Sequence, residues 1–170
     1  MRSDSITYPG VGVAVGGLFG ALGVFADWFS YTATVAGGQL TIGIAGTEDW
    51  SGRFAVVAGF SALLFGGAYI LLSDPVLRKV SGVAMAASSA VLLVMTLWGA
   101  IRVDEVVPGV VAGSGLGDIP FTASVAAGLA VSFVGGVMAF VSSFLAIRQP
   151  VAATVEETVE VPVEAAVEAG

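Results

Sequence analysis

The sequence contains no cysteine, no histidine and no asparagine. Each absence excludes a class of chemistry. Without cysteine there is no disulfide, thiolate nucleophile, lipoprotein anchor, iron–sulfur cluster or haem-thiolate site. Without histidine the usual general base and the commonest metal ligand are missing. Ser-His-Asp and Cys-His arrangements and structural zinc sites are excluded with it. Without asparagine there is no N-glycosylation acceptor. Any metal would be held by oxygen alone, which suits Ca²⁺ or Mg²⁺. Charge is scarce too: 11% of residues are charged, against about 25% in soluble domains. What fills the 170 residues instead is 56% hydrophobic side chains and 24 glycines, giving a mean hydropathy of +0.97. That composition excludes most soluble enzymes, nucleic-acid-binding domains and disordered chains.

The net charge of −7 is unevenly spread. Residues 149–170 hold Glu156, Glu157, Glu160, Glu164 and Glu168 and no base. Residues 1–148 hold eight acids and six bases, so the body is nearly neutral. The chain therefore divides into a four-helix transmembrane domain, 1–148, and an acidic tail, 149–170. Low complexity and prolines at 150 and 162 predict a disordered cytoplasmic tail. A base-poor chain has no electrostatic footprint for nucleic acid.

Four uncharged apolar stretches approach the roughly 20 residues that a spanning helix needs. They predict spans at about 9–28, 54–73, 80–101 and 120–147, with outer loops at 29–53 and 102–119. The first stretch follows Arg2 and ends Val24-Phe25-Ala26, which also reads as a signal-peptide cleavage site; its six glycines between Gly10 and Gly23 and acidic Asp4 favour a retained span. Arg2, Arg78, Lys79 and Arg148 on one side, against Arg53 and Arg102 on the other, put both termini in the cytoplasm by the positive-inside bias. Tyr8, Trp28, Phe29, Tyr31, Trp50 and Trp98 are expected as interfacial aromatics.

In the first loop, two β-prone runs, Tyr31–Ala36 and Gln39–Ile44, flank Gly37-Gly38 and predict a tight hairpin. Leu40, Ile42 and Ile44 alternate with Gln39, Thr41 and Gly43, so one face of it is apolar. Pro108-Gly109 predicts a turn and a second short hairpin in the other loop. The fold class is thus an all-α membrane protein: a four-transmembrane-helix bundle with a small β-hairpin extracellular cap. The glycine-rich run ending at Asp118 lacks the Lys-Ser/Thr of a phosphate cradle.

Small residues recur every fourth position at Gly12, Gly16 and Gly20, and again at Ser124, Gly128, Ser132 and Gly136. Such faces let membrane helices approach closely, either within the bundle or against another subunit. Within 11–26, 54–72, 80–101 and 121–147 the spans contain no charged residue, so the residues that would normally mark an ion pathway are missing. Asp27 falls at the outer boundary, where an ion pair with Arg53 or Arg102 is expected. Glu48 and Asp49 with Asp27 offer a weaker cation site as the alternative.

With these residues in view, the layout resembles the small, mostly uncharacterised four-helix integral membrane proteins of high-GC Gram-positive bacteria. The features are a glycine-rich first helix ending in Asp27-Trp28-Phe29, a β-rich loop with Gly43, Asp49 and Gly52, and an acidic tail. In outline it is also similar to claudin-like proteins, whose first outer loop is the larger and forms a sheet. It departs from them in having no cysteine pair and no Gly-Leu-Trp motif, so no functional residue is carried over.

The reading that follows is a non-enzymatic multi-pass plasma-membrane protein, an accessory or assembly subunit of an envelope complex. It has no catalytic, metal or cofactor residue, and its partners are the lipid bilayer and other membrane subunits or further copies of itself. The alternatives are a small oligomeric transporter, channel or ligand sensor using Ser61, Ser88, Ser89, Thr96, Ser142 and Ser143, and a membrane enzyme using Asp27, Glu48, Asp49 and Asp104 or Glu105.

Overall fold

The computed structural model describes residues 4–35, 37–113 and 120–148; the acidic tail lies outside them. The elements run α1 (Asp4–Phe25), β1 (Asp27–Val35), β2 (Gly38–Ala45), a 3-10 turn (Gly46–Glu48), α2 (Trp50–Leu71), α3 (Pro75–Ile101), α4 (Val103–Gly113), β3 (Phe121–Val125) and α5 (Ala127–Arg148). Four of these helices are long and apolar enough to cross a membrane: Tyr8–Phe25 within α1, and α2, α3 and α5. At 1.5 Å per residue, the 22 residues of α2 or α5 extend about 33 Å, close to the roughly 30 Å of a bilayer's hydrocarbon core.

Each end of these helices has a local cause. Asp49 caps α2 by accepting from the Ser51 amide at 3.1 Å. Asp74 caps α3 by accepting from the Val76 and Leu77 amides at 2.8 and 3.0 Å, and Pro75 occupies the first turn, where its missing N–H costs nothing. At the far end of α3 the chain bends at Arg102 and restarts as α4, whose first turn carries Asp104 and Glu105 beside the partial positive charge of its N-terminus.

The spanning helices pack in the cyclic order α1-α2-α3-α5, with α1 and α3 on one diagonal. The bundle differs from a soluble one in its apolar exterior and in the hydroxyls buried among Val13, Met85 and Leu92. Ser81, Ser89, Thr96, Ser132 and Ser143 are buried, while Val57, Leu64, Leu71 and Val134 are more than half exposed. The buried hydroxyls are mostly spent on the helix backbone: Ser89 donates to Met85 O, Thr96 to Leu92 O and Ser143 to Phe140 O. This leaves an apolar exterior, and close packing must come from small residues. A Cβ on Gly16 would sit 2.6 Å from both Gly135 O and Ala139 N of α5, and one on Gly17 would sit 2.6 Å from Gly59 O of α2. Glycine on α1 thus sets both of its neighbours at backbone contact.

At one end of the bundle the two longer connections meet in a single antiparallel sheet of order β2-β1-β3. The predicted hairpin is present, turning at Gly37 with φ 84, a left-handed value that glycine adopts without strain. Three expectations are corrected. The second hairpin about Pro108-Gly109 is absent: that segment is α4, because Val103, Val106 and Val107 lie one helical turn apart and pack on the sheet's core. The fourth span begins at Ala127, since Phe121–Val125 alternates apolar and hydroxyl residues and forms β3 against β1. The first span ends at Phe25, and Trp28, Phe29 and Tyr31 are buried in the sheet core rather than placed at an interface. Trp50 and Trp98 are exposed near this end.

Candidate functional site

The sheet end of the bundle gathers the side chains that are neither helix packing nor apolar exterior. Its keystone is Trp28, fully buried at the start of β1. The register of β1 against β2 shifts between Asp27 and Phe29, a bulge that changes the facing of the intervening residue. Trp28 Nε1 donates to Ser132 Oγ of α5 at 3.3 Å. Its ring fills space left by two glycines: a Cβ on Gly46 would lie 2.6 Å from Cδ2, and one on Gly99 of α3 would lie 2.9 Å from Cζ3. One side chain therefore ties the hairpin to two spanning helices. Ala126 N adds a backbone bond to Trp28 O at 2.8 Å, holding β3 to the same point.

Beyond Trp28 the sheet has two unlike faces. Phe29, Tyr31 and Ala33 point to the core with Ile44, Phe121 and Val107, and the Tyr31 and Phe121 rings meet at 4.9 Å between centroids, tilted by 52°. The opposite face is polar: Thr32 is flanked by Thr41 and Thr122, Ser30 by Gly43 and Ser124, Thr34 pairs with Gln39, and the Asp27 carboxylate lies over Gly43. Thr32 Oγ1 and Thr41 Oγ1 share a hydrogen bond of 3.0 Å, and Ser30 Oγ and Ser124 Oγ one of 2.7 Å. These cross-strand hydroxyl pairs stiffen a polar surface whose one charge, Asp27, lies at its base. On the apolar face Ile44 is buried, while Leu40 and Ile42 toward the hairpin tip stay 46% and 40% exposed.

Charge gathers where α2 begins and α3 bends. Asp49 is buried, accepts from the Ser51 amide and hydroxyl, and lies 3.8 Å from Arg102 Nη1. Arg102 Nε donates to Glu105 at 2.9 Å, and its guanidinium stands 5.9 Å from the Trp50 ring centroid. Arg53 Nε instead donates to Thr47 O at 2.9 Å. The expected Asp27 pair with Arg53 or Arg102 is thus replaced: Arg102 pairs with Asp49 and Glu105, and Asp27 is exposed with its carboxylate over Gly43. Among the described residues, no three acidic side chains converge, so Asp27, Glu48 and Asp49 do not form the alternative cation site either. Among the described residues, two buried polar atoms at this end, Tyr31 Oη and Arg102 Nη1, have no hydrogen-bond partner.

The small-residue faces are occupied from within the chain. Gly12, Gly16 and Gly20 meet Ser142, Ala139 and Leu92; Gly128 and Gly136 meet the α1 terminus and Leu92–Leu93; Ser132 holds Trp28. Ser124 belongs to β3 and not to that helical row. At the opposite end, Arg78 Nε donates to Tyr69 O at 3.3 Å with its guanidinium 5.3 Å from the Tyr69 ring centroid, and Arg148 stacks on Phe144 at 4.2 Å. No protein-family model matches the chain, and no curated protein matches its sequence.

Proposed function

We propose that the chain is a non-enzymatic, multi-pass plasma-membrane protein with cytoplasmic termini, serving as an accessory or assembly subunit whose contact surface is the sheet. The observation that carries the reading is the construction of that sheet. Strands from both connections join into one platform, and Trp28, Gly46 and Gly99 brace it against the bundle. Its hydrogen bonds and buried aromatics make a rigid surface, and Leu40 and Ile42 leave apolar area exposed at its tip. A preorganised surface with an apolar patch is what a docking partner needs. Arg78, Lys79 and Arg148 at the opposite end support placing that end in the cytoplasm.

Extraction in mild detergent, with crosslinking and mass spectrometry, tests the proposal. The expected result is a defined membrane partner crosslinked through residues 38–43, lost on Leu40→Glu/Ile42→Glu substitution. A chain that extracts as a lone monomer with no crosslink through the hairpin would contradict it.

A further inference from the structure

The geometry points to the free edge of β2 as the site where a second copy of this chain pairs, edge to edge, within the same membrane. The inference rests on the reading of the hairpin as the contact surface and names the partner.

β2 is an outer strand of the sheet, and its only substantial neighbour among the described elements is β1. Its other side is a row of backbone donors and acceptors with no strand beside it. Natural edge strands are guarded by charge, proline, a bulge or a covering element. Among the described residues no element covers β2, and the Asp27 carboxylate over Gly43 and the bulge both lie at its base, away from Gln39–Ile42. Gly38-Gln39-Leu40-Thr41-Ile42-Gly43-Ile44-Ala45 contains no charge and no proline. Its register against β1 runs unbroken from Phe29–Ile44 to Val35–Gly38, the single shift lying at the strand's base.

Charge selects the partner. The described residues of the sheet end carry five acids, Asp27, Glu48, Asp49, Asp104 and Glu105, against two bases, Arg53 and Arg102. Two copies meeting through these residues would bring like charges together. Residues 28–47 hold no charge and the Asp27 carboxylate lies over Gly43, so the outer part of the hairpin, Gln39–Ile42, is where identical surfaces meet without repulsion. A strand edge is also satisfied by another strand edge at matching height. A second copy in the same bilayer holds one at the same distance from the surface, whereas a soluble strand must find it. Pairing about a two-fold axis buries the Leu40 and Ile42 side chains of both copies toward one face.

The cysteine-free sequence makes the test direct. Single cysteines are placed along β2 at Gln39, Leu40, Thr41 and Ile42, and on the inner strands at Ser30 and Thr122. The purified full-length protein is reconstituted in phosphatidylcholine vesicles and oxidised. Edge pairing about a dyad brings central positions of β2 within disulfide reach, Cα atoms about 4.4–6.8 Å apart. The expected result is a crosslinked dimer at one or two same-face positions near Thr41 that exceeds the Ser30 and Thr122 controls at least tenfold. Gln39→Lys/Thr41→Lys then lowers that dimer at least fivefold, with unchanged helical circular dichroism as the folding control. Equal crosslinking at all positions, or none at any β2 position, would overturn the inference. A chain monomeric here that still crosslinks a different membrane protein through residues 38–43 would overturn self-pairing while leaving the subunit reading intact.

Discussion

Replacing Trp28 probes the join between sheet and bundle. Trp28 is fully buried, donates to Ser132, and fills the space over Gly46 and Gly99. Truncation of a buried tryptophan to alanine costs about 3–5 kcal/mol, of which about 1 kcal/mol is the hydrogen bond. The indole bridges β1, the 3-10 turn, α3 and α5, whereas the α1–α2 and α1–α5 glycine seams do not involve the ring. Its removal should therefore loosen the sheet and leave the bundle. At about 1.4 kcal/mol per tenfold, a loss of about 3 kcal/mol raises the opening constant of β1 and β2 by roughly 100-fold. Hydrogen exchange read by mass spectrometry on detergent-solubilised Trp28→Ala should show that acceleration for residues 29–35 and 38–45, with helical circular dichroism unchanged. Trp28→Phe, which keeps most of the ring burial, should fall in between. Exchange in the strands rising less than about threefold, or helices losing protection before strands, would refute the keystone role.

The other predictions concern single contacts. Gly16→Leu and Gly135→Leu should each destabilise the bundle by about 1–3 kcal/mol or more, because an added Cβ meets backbone atoms across the seam; Gly67→Ala, with open space around it, should be neutral or stabilising by up to about 1 kcal/mol. Reversible unfolding in mixed micelles distinguishes the two. Asp49→Ala should cost about 0.5–2 kcal/mol as a lost helix cap, and Asp49→Asn less, because the amide oxygen still accepts from Ser51; the same unfolding assay ranks the pair. Tyr31→Phe removes a buried hydroxyl that has no hydrogen-bond partner among the described residues, so stability should hold or rise by up to about 1–3 kcal/mol; a marked loss would show that the hydroxyl is bonded.

Much of this fold is legible in the sequence, and the parts that are not have a common cause. Uncharged runs of spanning length and the Gly37-Gly38 turn carry their own signal, because each follows from local physics. Residues 120–126 are different. Phe121, Ala123 and Val125 alternate with Thr122 and Ser124, a strand period, but the stretch leads without a break into a helix and reads as its first turns. What makes it a strand is β1, some ninety residues earlier. Pro108-Gly109 misleads in the opposite sense: a good turn pair is overridden by three valines that a helix can bury on the sheet. The ion pair fails likewise. Asp27, Arg53 and Arg102 are all placed at the right end, but the bulge at Trp28 turns Asp27 outward and the bend after α3 carries Arg102 to Asp49. Trp28 itself looks like an interfacial aromatic until two distant glycines, Gly46 and Gly99, are seen to make room for it.

The central proposal is that the four helices long and apolar enough to cross a membrane do so, with the sheet formed by both long connections on a single side of it. Cysteine scanning of the cysteine-free chain in sealed membranes, with a membrane-impermeant thiol reagent, tests it most directly. Cysteines at Thr34, Thr41, Glu105 and Thr122 should all label from one side. Ser73, between α2 and α3, should label only from the other, and Leu64 and Val134 should not label at all. Labelling of Thr34 and Thr122 from opposite sides, or ready labelling at Leu64 and Val134, would contradict the account.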